Sequence, residues 1–260
     1  MQGIGNDFVV IDAINQKIAL TRDQIHHIAN RHFGVGCDQL LLVEKSQSPD
    51  AEFRYRIFNA DGGEVEQCGN GARCFAPFVK EKGLNDKDEI VVETSSGIIR
   101  PHLESGSCVT VNMGKPRFKP DEIPFVAEAE NTTYALDADD QTFEVGVLSM
   151  GNHHVVLQVD DIVSASVAHL GPIIGQLKKF PQGVNVGFME IVDRMHLRLR
   201  VYERGAGETL PCGTGACAAM VTGHRQGLLD DRVSVELPGG SLLVQWPGEG
   251  QEVLMTGTAT

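Results

Sequence analysis

The sequence predicts an α+β protein of two homologous, pseudo-symmetric domains, each a mostly antiparallel, curled β-sheet around a central α-helix, with the active site in the interdomain cleft. Three observations carry this: an internal repeat, a strand, turn and helix pattern inside each copy, and a helix that is apolar nearly all round.

The repeat comes first, because a missed duplication misassigns the whole fold. Residues 53–76 align on 197–220 at a constant offset of 144 without a gap, with eight identities in 24 positions: Arg54/Arg198, Arg56/Arg200, Gly63/Gly207, Glu64/Glu208, Cys68/Cys212, Gly69/Gly213, Gly71/Gly215 and Ala72/Ala216. Chance pairing would give roughly one or two. Two shorter blocks follow the same order: Gly5-Asn6-x-x-Val9-Val10 with Gly151-Asn152-x-x-Val155-Val156 at an offset of 146, and Gly34-Val35 with Gly183-Val184 at 149. A boundary near Gly114-Lys115-Pro116 divides the chain into an N-terminal domain, 1–114, and a C-terminal domain, 115–260.

Within each copy, residues 53–58 (FRYRIF) and 197–202 (LRLRVY) alternate apolar residues with Arg, the period-two pattern of a strand with one buried face. Residues 59–63 and 203–207 carry the Gly and Asp chemistry of turns. Helices are then expected over 70–82 and 214–226, the first interrupted by Pro77, which removes the donor to residue 73. The run Ala216-Cys217-Ala218-Ala219-Met220-Val221 has no polar face and belongs inside a ring of strands. Short β-rich runs at 89–93, 109–113, 143–148, 233–237 and 241–246 supply further strands.

Composition narrows the function classes. With 22 Lys and Arg against 35 Asp and Glu, the net charge is −13, which repels phosphate backbones and anionic membranes, so neither is an expected partner. No uninterrupted apolar run reaches the eighteen or so residues of a spanning helix, and the first residues do not read as a signal peptide, so a cytoplasmic location is expected. Six cysteines at 37, 68, 74, 108, 212 and 217 include no C-x-x-C pair and none of the usual zinc spacings. No metal is expected, and Cys37, Cys74, Cys108 and Cys217 read as packing residues.

Cys68 and Cys212 differ, because each precedes a helix that opens Gly-x-Gly. The first N–H groups of a helix have no internal acceptor and bind anions such as carboxylates, glycine allows close approach, and the positive end lowers the pKa of a neighbouring thiol. Two such starts offered to one ligand suit stereochemical inversion: one thiolate removes a proton from a carbon while a thiol delivers one to the opposite face. A non-catalytic carboxylate-binding protein, or a redox or metal protein built on the same two cysteines, would use the same features.

The strings Gly5-Asn6-Asp7-Phe8-Val9-Val10, Asn59-Ala60-Asp61-Gly62, Gln67-Cys68-Gly69-Asn70-Gly71-Ala72-Arg73-Cys74, Ser149-Met150-Gly151-Asn152, Glu203-Arg204-Gly205-Ala206-Gly207-Glu208-Thr209 and Cys212-Gly213-Thr214-Gly215-Ala216 resemble the diaminopimelate epimerases over essentially the whole chain. Proline racemases resemble this family in fold but carry His where this chain has Asn70, and the phenazine-biosynthesis isomerases lack the cysteine pair. The resemblance implies a cofactor-independent, PLP-free isomerase that converts LL- to meso-diaminopimelate on the route to lysine and peptidoglycan. It implies Cys68 and Cys212 as the acid/base pair, with His154 and Glu203 supporting them. It places the Gly69-Asn70 and Gly213-Thr214 amides on the reacting carboxylate, and Asn6, Gln39, Asn59, Asn152, Asn185, Glu203 and Arg204 in substrate binding. Diaminopimelate is the implied small-molecule partner, and a homodimer is left open. His153 stands where the family usually has Pro, and the family usually has further residues before Gly3 and after Thr260, so a shortened chain is expected.

Overall fold

A computed structural model describes residues 1–65, 69–95, 97–104 and 108–260. The chain divides into two compact units, Met1–Asn112 with Thr256–Thr260, and Met113–Met255. The last five residues therefore go with the first unit rather than with 115–260: Gln2 and Thr260 exchange backbone hydrogen bonds at 2.7 and 3.0 Å, and the Thr110 and Thr256 hydroxyls lie 2.8 Å apart.

Unit 1 contains β1 (Gln2–Gly3), β2 (Asn6–Asp12), α1 (Arg22–Ala29), β3 (Gln39–Lys45), β4 (Phe53–Asn59), β5 (Glu64–Val65), α2 (Gly69–Glu81), β6 (Val92–Thr94), β7 (Gly97–Ile99), β8 (His102–Leu103) and β9 (Cys108–Asn112). The sheet order is β1-β2-β3-β4-β6-β7, with β5 on β4. The β1–β2 hairpin turns through Ile4 and Gly5, both at positive φ (47° and 89°), as a two-residue turn of the primed type requires, and this sets Asn6 at the start of β2. Helix α2 packs against β1, β2, β3, β8 and β9 and continues through Pro77 to Glu81 as one element.

Unit 2 contains β10 (Tyr134–Ala138), β11 (Gln141–Ser149), β12 (His153–Gln158), α3 (Val167–Gly175), β13 (Asn185–Asp193), β14 (His196–Glu203), β15 (Gly207–Thr209), α4 (Gly213–Arg225), β16 (Arg232–Leu237) and β17 (Gly240–Gln245). Its sheet runs β10-β11-β12-β13-β14-β16-β17, with β15 on β14, and a final strand, β18 (Leu254–Thr258), carries the chain from unit 2 back to unit 1. Every residue of α4 from Gly215 to Gly223 is buried, and the helix touches β11, β12, β13, β14, β16 and β17, so its lack of a polar face is matched by walls on all sides.

The duplication is explicit in the strand register. In unit 1, β2 runs parallel to β3 with Phe8 opposite Gln39; in unit 2, β12 runs parallel to β13 with His154 opposite Asn185. The strand before each helix pairs antiparallel with the one before it, and parallel with the one after the helix, where Arg54 faces Glu93 and Arg198 faces Glu236.

Three of the eight repeat identities have a structural origin. Arg56 grips Glu64 through two hydrogen bonds of 2.7 Å, and Arg200 grips Glu208 through two of 2.6 and 3.0 Å, so the same bidentate pair ties β4 to β5 and β14 to β15. A Cβ on Gly71 would lie 2.7 Å from the Ile57 side chain, and one on Gly215 would lie 2.9 Å from that of Val201, the residue 144 places after Ile57. Each glycine lets its helix rest directly on the central strand.

Candidate active site

In unit 2 the site begins at the N-terminus of α4. Cys212 is the residue before the first helical turn, with extended backbone and no side-chain cap, and its sulfur is buried. The half-buried Gly213 and Thr214 follow, bringing the first amides of the helix to this point. The Thr214 hydroxyl lies 3.8 Å from Cys212 Sγ. Burial, and after it the negative charge of Glu203, push the Cys212 thiol well above its ordinary pKa, while the Gly215 amide and the Thr214 hydroxyl act in the opposite sense.

Glu203 reaches this sulfur because it ends β14, the strand on which α4 rests. Its carboxylate accepts the Thr209 hydroxyl from β15, a partner for which sequence reasoning assigned no role although Thr209 lies in the same string. The backbone then turns out to Arg204, whose N–H donates to Asn185 Oδ1 at 2.8 Å and whose guanidinium donates to the Gln182 carbonyl. Gly183, at φ +70°, clears the way, since a Cβ there would lie 2.8 Å from Arg204 Cδ. Arg204 itself is exposed.

The third strand contribution comes from the turn into β12. Gly151, at φ +96°, precedes Asn152 as Gly5 precedes Asn6. Asn152 Nδ2 donates to Thr214 Oγ1 at 3.1 Å, and Asn152 Oδ1 lies 2.9 Å from His154 Nε2. His154 is completely buried, and burial followed by the nearby His153 lowers its pKa to about 3. His153 is also lowered, by burial and then by Arg204.

Because His154 stays neutral in the folded chain but takes a proton near pH 6.5 when unfolded, the unfolded state binds more protons between these two values. Stability is therefore expected to fall as pH drops from about 6.5 toward 3, by about 1.4 kcal/mol per unit once well below the upper value. Urea midpoints at pH 7, 6 and 5 should show this loss, and His154→Phe should flatten it.

In unit 1 the predicted residues form a row of amides across three neighbouring strands. Asn6 Nδ2 donates to Gln39 Oε1 at 3.3 Å, and Gln39 Nε2 donates to Asn59 Oδ1 at 2.9 Å. Gly69 opens α2, and the buried Asn70 accepts from the fully buried Arg73 at 2.8 Å. Cys68 lies outside the described residues. Position by position, Phe8 and Asn59 of unit 1 stand where unit 2 has His154 and Glu203, so the ionisable pair belongs to unit 2. Among the described residues, no group of three or more His, Cys, Asp or Glu is placed to hold a metal ion.

The family model described as diaminopimelate epimerase matches residues 1–119 and 146–260. A diaminopimelate epimerase from Thioalkalivibrio sulfidiphilus is 59% identical over 262 residues, covering 100% of this chain and 94% of the relative, and one from Nitrosospira multiformis is 57% identical over 259 residues, covering 100% and 93%. Among solved structures, a phenazine biosynthesis protein of the PhzF family from Bacillus anthracis superposes with a TM-score of 0.69 at 20% identity, over 99% of this chain and 92% of that one. A hydroxyproline epimerase from Agrobacterium vitis gives 0.66 at 17% identity, over 99% and 87%. These two share the fold. With a family model over most of its length and relatives more than half identical from end to end, the chain belongs to the diaminopimelate epimerase family.

Proposed function

We propose that the chain epimerises LL-2,6-diaminopimelate to meso-diaminopimelate, without PLP or another cofactor, by a two-base mechanism in which Cys68 and Cys212 act on opposite faces of one α-carbon. One cysteine, as thiolate, takes the α-proton; the other, as thiol, gives its proton to the far face. Each turnover leaves the two protonation states exchanged, and proton exchange with water or the reverse reaction resets them. The product would serve lysine and peptidoglycan precursor synthesis.

The observation that carries this reading is the environment of Cys212, a buried thiol at the open end of a helix, against Glu203 and within reach of the Thr214 hydroxyl. Burial and Glu203 keep it protonated at rest, which suits the donor role, and its repeat partner Cys68 is the complementary base. Charge developing on the reacting carboxylate is met by the first amides of the two helices, at Gly69-Asn70 and Gly213-Thr214. Arg204 provides an exposed cation for the distal carboxylate, and Asn6, Gln39, Asn59, Asn152 and Asn185 provide amide partners for the remaining polar groups of a substrate with two amino-acid ends.

Chromatographic separation of the stereoisomers tests the proposal. The purified chain, with reductant and a chelator and no added PLP, should convert LL- to meso-diaminopimelate. Binding without conversion would contradict it, as would a requirement for metal or for PLP.

A further inference from the structure

We propose that Arg31 is a positioning residue for substrate binding: its guanidinium clamps Asp7 to Asp38, and so holds their neighbours Asn6 and Gln39 in the amide row of unit 1. The proposal deepens the reading of that row as a substrate-binding surface and rests on it.

The clamp is built from the chain upward. Helix α1 ends at Ala29, and Asn30 Oδ1 accepts the His32 and Phe33 amides at 2.8 and 2.9 Å, which sets the turn that contains Arg31. The chain then folds back onto α1: the Val35 and Gly36 amides donate to the Ile28 carbonyl at 2.9 and 3.0 Å, and the Cys37 amide to that of Ala29 at 3.1 Å. Gly36, at φ +84°, permits this return, since a Cβ there would lie 3.1 Å from Arg31 Cα. With its backbone secured, Arg31 donates from Nη1 to Asp7 Oδ2 and from Nη2 to Asp38 Oδ1, both at 2.9 Å. The starts of β2 and β3 meet at the same place, because the Asp7 amide donates to Asp38 Oδ2 at 2.9 Å and the Asp38 amide to the Asp7 carbonyl at 3.1 Å.

Asp7 follows Asn6 in the chain, and Asp38 precedes Gln39. Two carboxylates gathered on one guanidinium repel each other once it is gone, and its planar fork sets their spacing as well as offsetting their charge. Stability does not explain the arrangement. All three side chains are about half exposed, and ion pairs in that setting add little to folding. The amides, by contrast, need support: Asn59 is exposed, Asn6 and Gln39 are half-buried, and the three bond to one another.

The repeat supplies the comparison. The register that sets Phe8 opposite Gln39 and His154 opposite Asn185 puts His153 and Val184 where unit 1 has Asp7 and Asp38. No acid pair stands there. Unit 2 secures its amides by other means: Asn185 is buried and accepts the Arg204 N–H at 2.8 Å, and Asn152 donates to Thr214 Oγ1 at 3.1 Å. The clamp belongs to the unit whose amides are the more exposed.

The test is a set of double-mutant cycles on the full chain, with kcat and KM for LL-diaminopimelate and a melting temperature for each variant. Arg31→Gln should raise KM roughly tenfold, the equivalent of one lost charge-assisted hydrogen bond. Because the row binds substrate and transition state alike, kcat should change less than about twofold, and the melting temperature should hardly move. Adding Asp38→Asn relieves the unpaired charge while keeping an acceptor for the Asp7 amide, and should recover much of the lost affinity. In a Gln39→Ala background, where KM is already raised, Arg31→Gln should add no more than about twofold to threefold. Equal increases with and without Gln39, or no recovery with Asp38→Asn, would mean that Arg31 meets the substrate itself, and would overturn the clamp. An unchanged KM in Arg31→Gln, or loss of its fold, would overturn it too. Failure of the underlying reading would show differently, as an unchanged KM in Gln39→Ala alone, and the positioning role would fall with it.

Discussion

Alanine at Cys212, or at Cys68, is expected to lower epimerisation by about a hundred- to ten-thousandfold, the range in which a positioned acid or base contributes. The loss should fall on kcat, because neither thiol is asked to hold the substrate; the carboxylate is assigned to backbone amides, which both variants retain. Cys212→Ala removes one buried sulfur atom whose thiol is neutral at rest, so its thermal stability should fall only slightly, which separates loss of chemistry from loss of fold. Progress curves in both directions, with melting temperatures for each variant, provide the check. Near-normal turnover in either variant would refute the two-base mechanism.

Gly215→Ala is expected to produce the second large effect. Its Cβ would lie 2.9 Å from Val201 Cγ2, 3.0 Å from Cys212 Sγ and 3.3 Å from Cys212 Cβ. Val201 is β-branched and buried on β14, so it yields little, and the displacement falls on the sulfur. Misplacing a reacting group by about 1 Å can cost on the order of a hundredfold in rate, and kcat should fall at least tenfold. Gly223→Ala on the same helix is the control. Its Cβ would meet Leu229 Cδ1 at 2.4 Å, far along α4 from Cys212, so it should lower stability by about 1–3 kcal/mol and leave kcat per folded molecule nearly unchanged. Paired kcat and urea-midpoint measurements distinguish the two glycines.

The duplicated strand, turn and helix were legible because the repeat preserves residues that do the same work twice: Arg56 and Arg200 holding Glu64 and Glu208, and Gly71 and Gly215 clearing Ile57 and Val201. The predicted helices at 70–82 and 214–226 correspond to α2 and α4. Helices α1 and α3 escaped notice, and with them the parallel β2–β3 and β12–β13 pairs that they connect. Helix α1 buries only Ile25 and Ala29, too narrow a stripe to announce itself, although Thr21 and Gln24 form a capping box that could have marked its start. Helix α3 contains Gly171 and Pro172 and reads as a turn; Gly171 is there because a Cβ would lie 2.5 Å from the Tyr202 ring.

The Gly34-Val35 block shows where identity misleads. The register pairs Gln39 with Asn185 at an offset of 146, and the positive φ of Gly183 (70°) is matched by that of Gly36 (84°). Gly34 meets a different demand, since a Cβ there would lie 1.9 Å from the His27 carbonyl oxygen. Two shared residues in a loop do not establish register, whereas strand pairing does. Within the site, the amide row of Asn6, Gln39 and Asn59 and the Asn152 to Thr214 link depend on neighbouring strands and on a helix distant in sequence, so they emerge only in the folded chain.

The most direct measurement is the early distribution of deuterium when LL-diaminopimelate reacts in heavy water. Two cysteines on opposite faces of the α-carbon require that product molecules carry solvent deuterium at the inverted centre from the first turnovers, while recovered LL-substrate remains unlabelled. Deuterium entering the recovered LL-substrate as fast as the product, or product that retains the original proton, would mean that a single group serves both faces, and would contradict the assignment of Cys68 and Cys212 as a pair.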